Sequence, residues 1–583
     1  MKKLLKTLLA ILISITIIGC KPKEVTVENP DFTEFTDEVL KWYYQPDDPN
    51  ILFSFGNPEN FGLSLENPDF KISSLEDSAK TVSEAKEWQT KLKGFKYDSL
   101  TNQEKDTYDY LDYKFQSLID SQEFYYHSNG ELGSFIGTNC DLPYLFIAWP
   151  LINKERLDYM INFLEALPET FQNYIDYEFA KVENKLPKTK ATYEGIVEQA
   201  QEVVKAGKNY FLIEQLAKRV DEVPNLTPTE VQDYKKQIKS LISNEFIEAY
   251  KLIADQIPAL YDKAADENTA GLATFPKGKE YYAYLLKYKV GVLDSASDIK
   301  AYLNERLDQK LQLLIKIYRG HMDDIESGAM PLMFENNNFN DMIEYLKSQT
   351  KNDFPTIKDP EYSLEEIDKS LQDSFSPAAY FSPLSDIEYK NLVLVNPKNV
   401  RYDVLITMAH ETYPGHLYQM NYVTQSDLPM IRKTGHVTGY IEGWGKYADH
   451  FSHKYAKETE DYLVEFFSID NDFSYLMWCI IDIGVNDEGW SIDDVHNFMA
   501  DFYGEGISRE DAAYYYNVIQ ENPANMLQYY YTYYLIEDYK VDFKNTLKGK
   551  YTDLLFHQSV LETGPVPMFI LKRHLEQIAK NNK

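Results

Sequence analysis

Cysteine, basic charge and long apolar runs are all scarce in this 583-residue sequence. Lys and Arg together number 59 against 92 Asp and Glu, so the formal net charge is -33. Because nucleic-acid binding relies on a surplus of basic side chains, this balance argues against a nucleic-acid partner. After the first 20 residues no segment is long and apolar enough to cross a bilayer, and no Gly/Ser-rich linker divides the chain. We therefore expect one large domain over residues 36–583.

The first 20 residues have the pattern of an export signal. Lys2, Lys3 and Lys6 precede an apolar stretch over residues 8–18, which ends in Gly19-Cys20. This ending resembles the lipobox of bacterial lipoproteins, which predicts a signal peptide over residues 1–19, a lipidated Cys20 and a tether over residues 20–35. The protein would then be lipid-anchored on the outer, extracytoplasmic face of the bacterial cell membrane. A plain signal peptide or an uncleaved anchor is the alternative.

What the chain has in abundance is aromatic side chains. Its 47 Tyr and 31 Phe, with 44% hydrophobic residues overall, predict a large and aromatic-rich core. Beyond Cys20 there are two cysteines, Cys140 and Cys479. They either pair outside the cell or are two buried thiols, and the sequence favours neither.

Helical periodicity dominates the chain. Apolar residues recur at spacings of three and four, which is typical of helices with one buried face, over residues 152–178, 228–260, 299–318 and 440–467. A hydroxyl residue followed three positions later by an acid is a helix-start pattern, and it begins at Thr227, Ser363, Ser491 and Ser508. The clearest strand candidate is residues 390–396, which is β-prone and bounded by Pro397. Such a strand either borders a cleft and pairs with an extended peptide or is a buried connector.

The most informative motif is His410-Glu411-Thr412-Tyr413-Pro414-Gly415-His416. In the ordinary His-Glu-x-x-His arrangement, histidines four apart bind one Zn²⁺ and the Glu acts on the metal's water. Here they are six apart, so a regular helix would turn His416 about 120° away from His410. Pro414 and Gly415 are suited to a bulge that returns His416 to the metal side. The alternative is that Pro-Gly simply ends the helix and His416 is a loop or core residue.

A third ligand is needed, and Glu442 is the first choice. Its carboxylate with two neutral imidazoles makes a His₂Glu site that leaves an open position for water. Asp449, seven residues later, is predicted to accept the outer N–H of a metal-bound histidine, and the alternative is a surface carboxylate. The competing ligands are three further histidines, which are otherwise solvated or packed: His436, His450 and His453.

Two runs of this sequence, residues 408–419 and 442–449, closely resemble a bacterial family known only as domain of unknown function 885. The family pattern is His-Glu-x-x-Pro-Gly-His-x-x-Gln and then Glu-Gly-Trp-Ala-x-Tyr-Ala-Glu. Blocks near Tyr529 and His557 extend the resemblance over roughly residues 380–575. The chain departs from the pattern at Gly445, Asp449 and Asn486, where Ala, Glu and His are usual. The shorter Asp449 weakens its predicted contact with a metal-bound histidine.

Members of that family are mostly helical and are grouped with zincin-like metallopeptidases, often as exported lipoproteins. The resemblance therefore implies a mainly α, large helical zincin-like metallopeptidase fold with a small β-sheet bordering the active-site cleft. We expect an N-terminal wall or lid over residues 36–380 and a catalytic part over residues 381–583.

The predicted activity is zinc-dependent hydrolysis of peptides outside the cytoplasmic membrane. One Zn²⁺ would be held by His410, His416 and Glu442, with Glu411 as general base for the attacking water. His557 or Tyr529 would donate a hydrogen bond to the oxyanion. Two alternatives remain: a surface lipoprotein that binds peptides without cleaving them, and a metal-dependent hydrolase of a non-peptide amide or ester.

Overall fold

The structure, a computed structural model, describes residues 30–583 except 129, 370, 373–374, 383, 402 and 457–458, with the side chains of Pro30 and Glu505 left out. The predicted signal peptide and the lipidation site Cys20 lie outside the described residues. Within the described part of the chain, every helix is too short or too polar to traverse a bilayer.

The fold is mainly helical. The α-helices, in chain order, are α1 (Pro30–Tyr43), α2 (Pro49–Ser54), α3 (Leu75–Leu92), α4 (Asn102–Ser121), α5 (Thr138–Ala148), α6 (Lys154–Glu183), α7 (Lys190–Ala206), α8 (Leu212–Arg219), α9 (Pro228–Leu241), α10 (Ile247–Gln256), α11 (Gly278–Leu285), α12 (Ala296–Gly320), α13 (Met322–Glu326), α14 (Phe339–Thr350), α15 (Val404–Glu411), α16 (His416–Gln425), α17 (Met430–Lys433), α18 (Thr438–Ser452), α19 (Asp461–Ile483), α20 (Ile492–Tyr503), α21 (Arg509–Glu521), α22 (Asn525–Leu547), α23 (Asp553–Thr563) and α24 (Met568–Asn582). The strands are β1 (Tyr362–Glu366), β2 (Ala378–Phe381) and β3 (Asn391–Val395).

The folded body begins earlier than predicted. Residues 30–35, which the sequence assigned to the tether, already belong to α1. Phe32 and Phe35 are buried there and stack on one another, with ring centroids 6.1 Å apart. Burial of two large rings outweighs the polar character of the preceding residues, so the tether predicted from composition is too long.

Three of the four long helical predictions agree with the structure. Residues 152–178 lie almost entirely in α6, residues 299–318 lie in α12, and residues 228–260 form α9 and α10 joined by the π-helical turn Ile242–Phe246. The prediction for residues 440–467 is wrong as one helix. There α18 ends at Ser452, a 3₁₀ turn follows, and α19 begins at Asp461.

The predicted helix starts at Thr227, Ser491 and Ser508 are confirmed, each with a reciprocal capping box. The start predicted at Ser363 is wrong, because Ser363 lies in β1 and pairs with Leu392 of β3. Backbone pairing across a sheet outweighs a cap that satisfies only one or two donors.

The strand predicted over residues 390–396 is confirmed as β3, but it is the central strand of a three-stranded sheet of order β1-β3-β2. β3 pairs in parallel with β1 and antiparallel with β2, so both of its edges are occupied. Of the two predicted roles, the buried connector is therefore correct and pairing of this strand with a peptide is wrong. The strand whose outer edge faces the predicted site is β2.

Two hydrophobic cores meet at this sheet. One is built mainly from α5 to α10 and also contains Leu394, while the other holds Val393 and Val395 with α1, α4 and the helices after residue 400. Successive residues of β3 thus point to opposite cores, as the strand period of two requires. Cys140 and Cys479 are free thiols and do not form the disulfide bond that the sequence left open.

Candidate metal centre

The helix that carries the metal motif is interrupted between its two histidines. It breaks after α15, and α16 begins at His416. Across the break the N–H of Gly415 donates to the carbonyl of Ala409 at 2.9 Å, a bond that spans six residues instead of four. A Cβ on Gly415 would lie 1.7 Å from the carbonyl oxygen of His410, so only glycine fits here. The Tyr413–Pro414 peptide bond is cis.

This interruption brings three predicted ligands together. His410 Nε2 and His416 Nε2 are 3.1 Å apart, and Glu442 Oε2 lies 3.6 Å from the first and 3.3 Å from the second. Within the described ranges, this trio is the one set of His, Cys, Asp and Glu side chains whose donor atoms converge, all within 4.8 Å. A tetrahedral zinc site with bonds of about 2.1 Å places its donors about 3.4 Å apart. The donor set and its spacing therefore fit Zn²⁺.

Both imidazoles are held from behind by side chains that accept hydrogen bonds. His410 Nδ1 lies 3.2 Å from Asp449 Oδ2, and His416 Nδ1 lies 3.4 Å from Gln419 Oε1. Such partners fix the ring orientation and would leave Nε2 free to bind a metal ion. The structure thus places Asp449 where its predicted contact requires it, whereas Gln419 received no role from the sequence.

Gly445 gives the two rings the space to approach α18. A Cβ at this position would lie 2.8 Å from the Cε1 atoms of both His410 and His416. The two rings pack edge to face with centroids 4.6 Å apart, so neither can move away without changing its distance to Glu442. In the sequence, Gly445 is noticeable only as a departure from the family pattern, and its contact with the two rings was not predicted.

Glu411 lies next to the cluster with its carboxylate fixed by β2. The backbone N–H of Tyr380 donates to Glu411 Oε2 at 3.0 Å. Burial raises the pKa of Glu411, and this outweighs the opposite effect of His410 and His416. A carboxylate with a raised pKa is a stronger base than an exposed one, which suits proton abstraction. The N–H of Tyr380 could not be identified from the sequence because it comes from a backbone about 30 residues away.

An open cleft of about 290 Å³ adjoins the cluster. His410, Glu411 and Tyr529 are among the residues that line it, and Met333 and Phe467 supply apolar surface. A ligand in the cleft can therefore reach His410 and Glu411 from solvent.

Of the two predicted oxyanion donors, the structure brings only Tyr529 to the cleft. Its ring stacks near His410 with centroids 6.3 Å apart. Burial and the carboxylates of Glu442 and Glu411 raise the pKa of its phenol, which stays protonated and donates a hydrogen bond to Glu442. His557 is fully buried away from the cleft lining. Its Nε2 contacts the Tyr447 hydroxyl at 2.6 Å, and its Nδ1 contacts the Asp353 carbonyl at 2.6 Å. The oxyanion role predicted for His557 is therefore wrong, because both of its ring nitrogens already have hydrogen-bond partners inside the protein.

The three competing histidines do not join the cluster. His450 Nε2 faces Asp472 Oδ2 at 3.7 Å, and His453 Nδ1 lies 3.0 Å from the carbonyl oxygen of His450. Burial lowers the pKa of His450 to about 3, as expected for a packed neutral ring. His436 lines a separate cavity and is not part of the converging set.

A chain of buried charges continues behind the cluster. Lys446 Nζ lies 3.1 Å from Asp449 Oδ1 and 3.8 Å from Asp472 Oδ1, and Lys310 Nζ reaches Asp472 Oδ2 at 2.6 Å. Burial alone would raise the pKa of Asp449, but Lys446 and His410 lower it, so this carboxylate remains charged. Lys446 lies three residues before Asp449 on one helix, a spacing that indicates a contact, but no role was predicted for it.

The fold and the site define a class: a mainly helical protein in which two histidines and a glutamate converge beside a carboxylate and an open cleft. The chain belongs to the bacterial family of proteins of unknown function DUF885, whose model matches residues 60–575. No curated protein matches the sequence.

The fold is shared with solved structures, among them the following two. One is a protein of Colwellia psychrerythraea described as a candidate lipoprotein, with a TM-score of 0.81 at 16% identity, covering 94% of this chain and 99% of that one. The other is from Shewanella oneidensis and is described as a candidate lipoprotein of unknown function. Its TM-score is 0.59 at 17% identity, with 93% and 98% of the two chains covered. At this identity the likeness shows the fold alone.

Proposed function

We propose that this protein is a zinc-dependent hydrolase that cleaves peptides outside the cytoplasmic membrane. The observation that carries the proposal is the convergence of His410, His416 and Glu442 within 4.8 Å, with Glu411 beside them on an open cleft. A bound Zn²⁺ would supply Lewis-acid polarisation of a water molecule and of the substrate carbonyl. The predicted lipid at Cys20 would keep the protein at the outer face of the membrane.

Glu411 takes the role of general base. Its carboxylate accepts a proton from the attacking water and then returns it to the leaving amine. The N–H of Tyr380 keeps the Oε2 atom in place, which leaves Oε1 for the water. Tyr529, with its protonated phenol, donates to the oxygen that gains negative charge.

A peptide is the substrate class that the sheet favours. β2 pairs with β3 along one edge, and along the other edge the Tyr380 N–H faces Glu411. An extended chain laid along this outer edge would bring its carbonyl groups past the base. Recognition through the backbone accepts many side chains, which suits a peptidase of broad specificity.

The test combines metal analysis with a peptide library. Zinc content is measured by mass spectrometry of the purified protein, and library cleavage is followed with and without chelator. One zinc per chain and chelator-sensitive cleavage are expected. Peptide binding without cleavage would replace the proposal by a binding module, and hydrolysis restricted to esters or non-peptide amides would replace the substrate class.

A further inference from the structure

The cleft beside the metal cluster continues along one face of α15. Its lining includes Asp403, which directly precedes the helix, and three residues within it, Ile406, Thr407 and His410. Spacings of three, four and seven residues place side chains on one side of a helix. Seven residues of helix span roughly 10 Å. A single cavity therefore has His410 and Glu411 at one end of this face and Asp403 at the other.

The end of the cleft away from the cluster carries an exposed positive charge. Arg401 also lines the cleft, and its Nη2 atom lies 3.6 Å from Oδ2 of Asp403. The Arg401 side chain is 58% exposed and the Asp403 side chain 29%, so the guanidinium is the part of this pair that faces solvent. A guanidinium has five N–H donors and can use two of them to bind one carboxylate. Contact with Asp403 is therefore compatible with contact with an incoming anion.

The lysine of the cleft does not offer its charge in the same way. Lys446 lines the cleft, but its side chain is only 6% exposed. Its Nζ lies 3.1 Å from Asp449 Oδ1 and 3.8 Å from Asp472 Oδ1, so its charge is compensated inside the protein. Of the lysines and arginines among the described residues that line the cleft, Arg401 is thus the one that a ligand reaches from solvent.

We propose that Arg401 binds a carboxylate of the peptide substrate at the end of the cleft away from the cluster. This inference rests on the proposed hydrolase function and narrows its substrate class. An extended peptide advances about 3.4 Å per residue, so a carboxylate at Arg401 lies roughly two or three residues from a carbonyl group at His410 and Glu411.

The carboxylate has two sources. It is either the free C-terminus, in which case the enzyme releases short fragments from chain ends, or an acidic side chain at the same distance from the scissile bond. The planar guanidinium pairs with both.

The first experiment measures binding without turnover. Zinc-loaded protein carrying Glu411→Gln is titrated in a calorimeter with benzoyl-triglycine and with its C-terminal amide. The acid is expected to bind roughly 10- to 100-fold more tightly than the amide. Arg401→Met should remove this preference. Arg401→Lys should keep part of it, because an ammonium keeps the charge but not the paired donors.

Arg319→Met is the matched control for this titration. Arg319 is exposed in the last turn of α12 and is not among the described residues that line the cleft, so the preference should stay as in the parent protein. Thermal melting establishes that the Arg401 variants are folded before they are compared. A preference that survives in Arg401→Met would overturn the proposal, because the carboxylate would then be bound elsewhere, for instance on the metal.

The second experiment identifies the carboxylate through hydrolysis by protein with Glu411 intact. Peptides with a free C-terminus are compared with C-terminal amides, and amidated peptides with Glu after the cleaved bond are compared with Gln versions. Neutralising the carboxylate that Arg401 binds should raise KM roughly 10- to 100-fold in wild type but not in Arg401→Met, with kcat nearly unchanged. Mass spectrometry of the products should place this carboxylate roughly two or three residues from the cut.

The two proposals fail in different ways. Cleavage with neither preference would refute the carboxylate subsite and leave the hydrolase standing. If no peptide is cleaved, the hydrolase proposal fails, and the binding experiment alone decides whether Arg401 holds a carboxylate.

Discussion

The backbone N–H of Tyr380 donates to Glu411 Oε2 at 3.0 Å, so the outer strand of the sheet holds the carboxylate that follows His410, the first of the proposed metal ligands. This bond joins the sheet to α15 at the point where chemistry is proposed. It also crosses the boundary at residue 380 that the sequence suggested between a wall and a catalytic part. β2 spans that boundary and belongs to the site.

Replacing Glu411 by Gln should separate metal binding from catalysis. The amide keeps the shape of the side chain and can still accept the Tyr380 N–H, but it cannot take a proton from water. We expect zinc content to stay at the wild-type level while peptide hydrolysis falls by at least roughly 100- to 10,000-fold. Zinc analysis and a peptide cleavage assay measure the two quantities. His416→Ala is the contrasting variant and should lose zinc and activity together. Full activity in Glu411→Gln would remove the base assignment.

Gly445→Val should weaken zinc binding. Ala is usual at this position in the family pattern, so one methyl group is accommodated by a small shift of the rings. The first side-chain carbon would already lie 2.8 Å from Cε1 of both imidazoles, and the two branches of Val add bulk that a small shift does not accommodate. We expect the zinc affinity, measured by competition with a chromophoric chelator, to fall roughly tenfold or more, in line with other perturbations that disorient metal ligands. Gly549→Val is the control, since a Cβ there meets nothing within 4 Å. Equal zinc affinities in the two variants would contradict the close approach of the rings to α18.

Much of the candidate metal cluster could be predicted from the sequence because its determinants are local. The His410 and His416 spacing, the Pro-Gly pair and the following Glu442 all lie within about 30 residues, and helix geometry relates them directly. His557 shows the limit of the same reasoning. A histidine in a resembling block looks the same in sequence whether it faces a cleft or packs between Tyr447 and Phe354, and only the tertiary contacts distinguish the two.

The parts that were missed depend on distant segments. β1 and β2 are short and gain their hydrogen bonds only by pairing with β3, so local pattern predicted a helix start at Ser363 instead. Long-range pairing of this kind is set by packing, not by propensity.

Lys446→Met should destabilise the protein and also loosen the metal site. Removal of the ammonium leaves the buried carboxylates of Asp449 and Asp472 facing each other with less compensation, which we expect to cost roughly 3–5 kcal/mol in the free energy of unfolding. Asp449 would then favour its protonated form and hold His410 less well, so zinc affinity should fall roughly tenfold.

Denaturant unfolding and chelator competition measure these two effects of Lys446→Met. Lys580→Met, which removes an exposed pair with Glu576, should change stability by less than about 1 kcal/mol. A Lys446→Met protein as stable as the Lys580→Met control would show that the buried charges are not coupled.

Zinc binding should release a proton from His410 and so depend on pH. In the metal-free protein burial would lower the pKa of His410, but its contacts with Asp449 and Glu442 outweigh burial and raise the pKa to about 10. At pH 7 the metal-free imidazole of His410 is therefore doubly protonated, and Zn²⁺ must displace one of the two protons. Since protons and metal compete, the apparent zinc affinity should rise about tenfold per pH unit between pH 6 and pH 9 and level off above the raised pKa.

Chelator competition at several pH values measures the slope of zinc affinity against pH, after correction for the chelator's own protonation. Asp449→Asn removes one of the two acids that raise the pKa, so its affinity should level off at a lower pH than in wild type. An apparent affinity independent of pH over this range would show that His410 is neutral before the metal arrives.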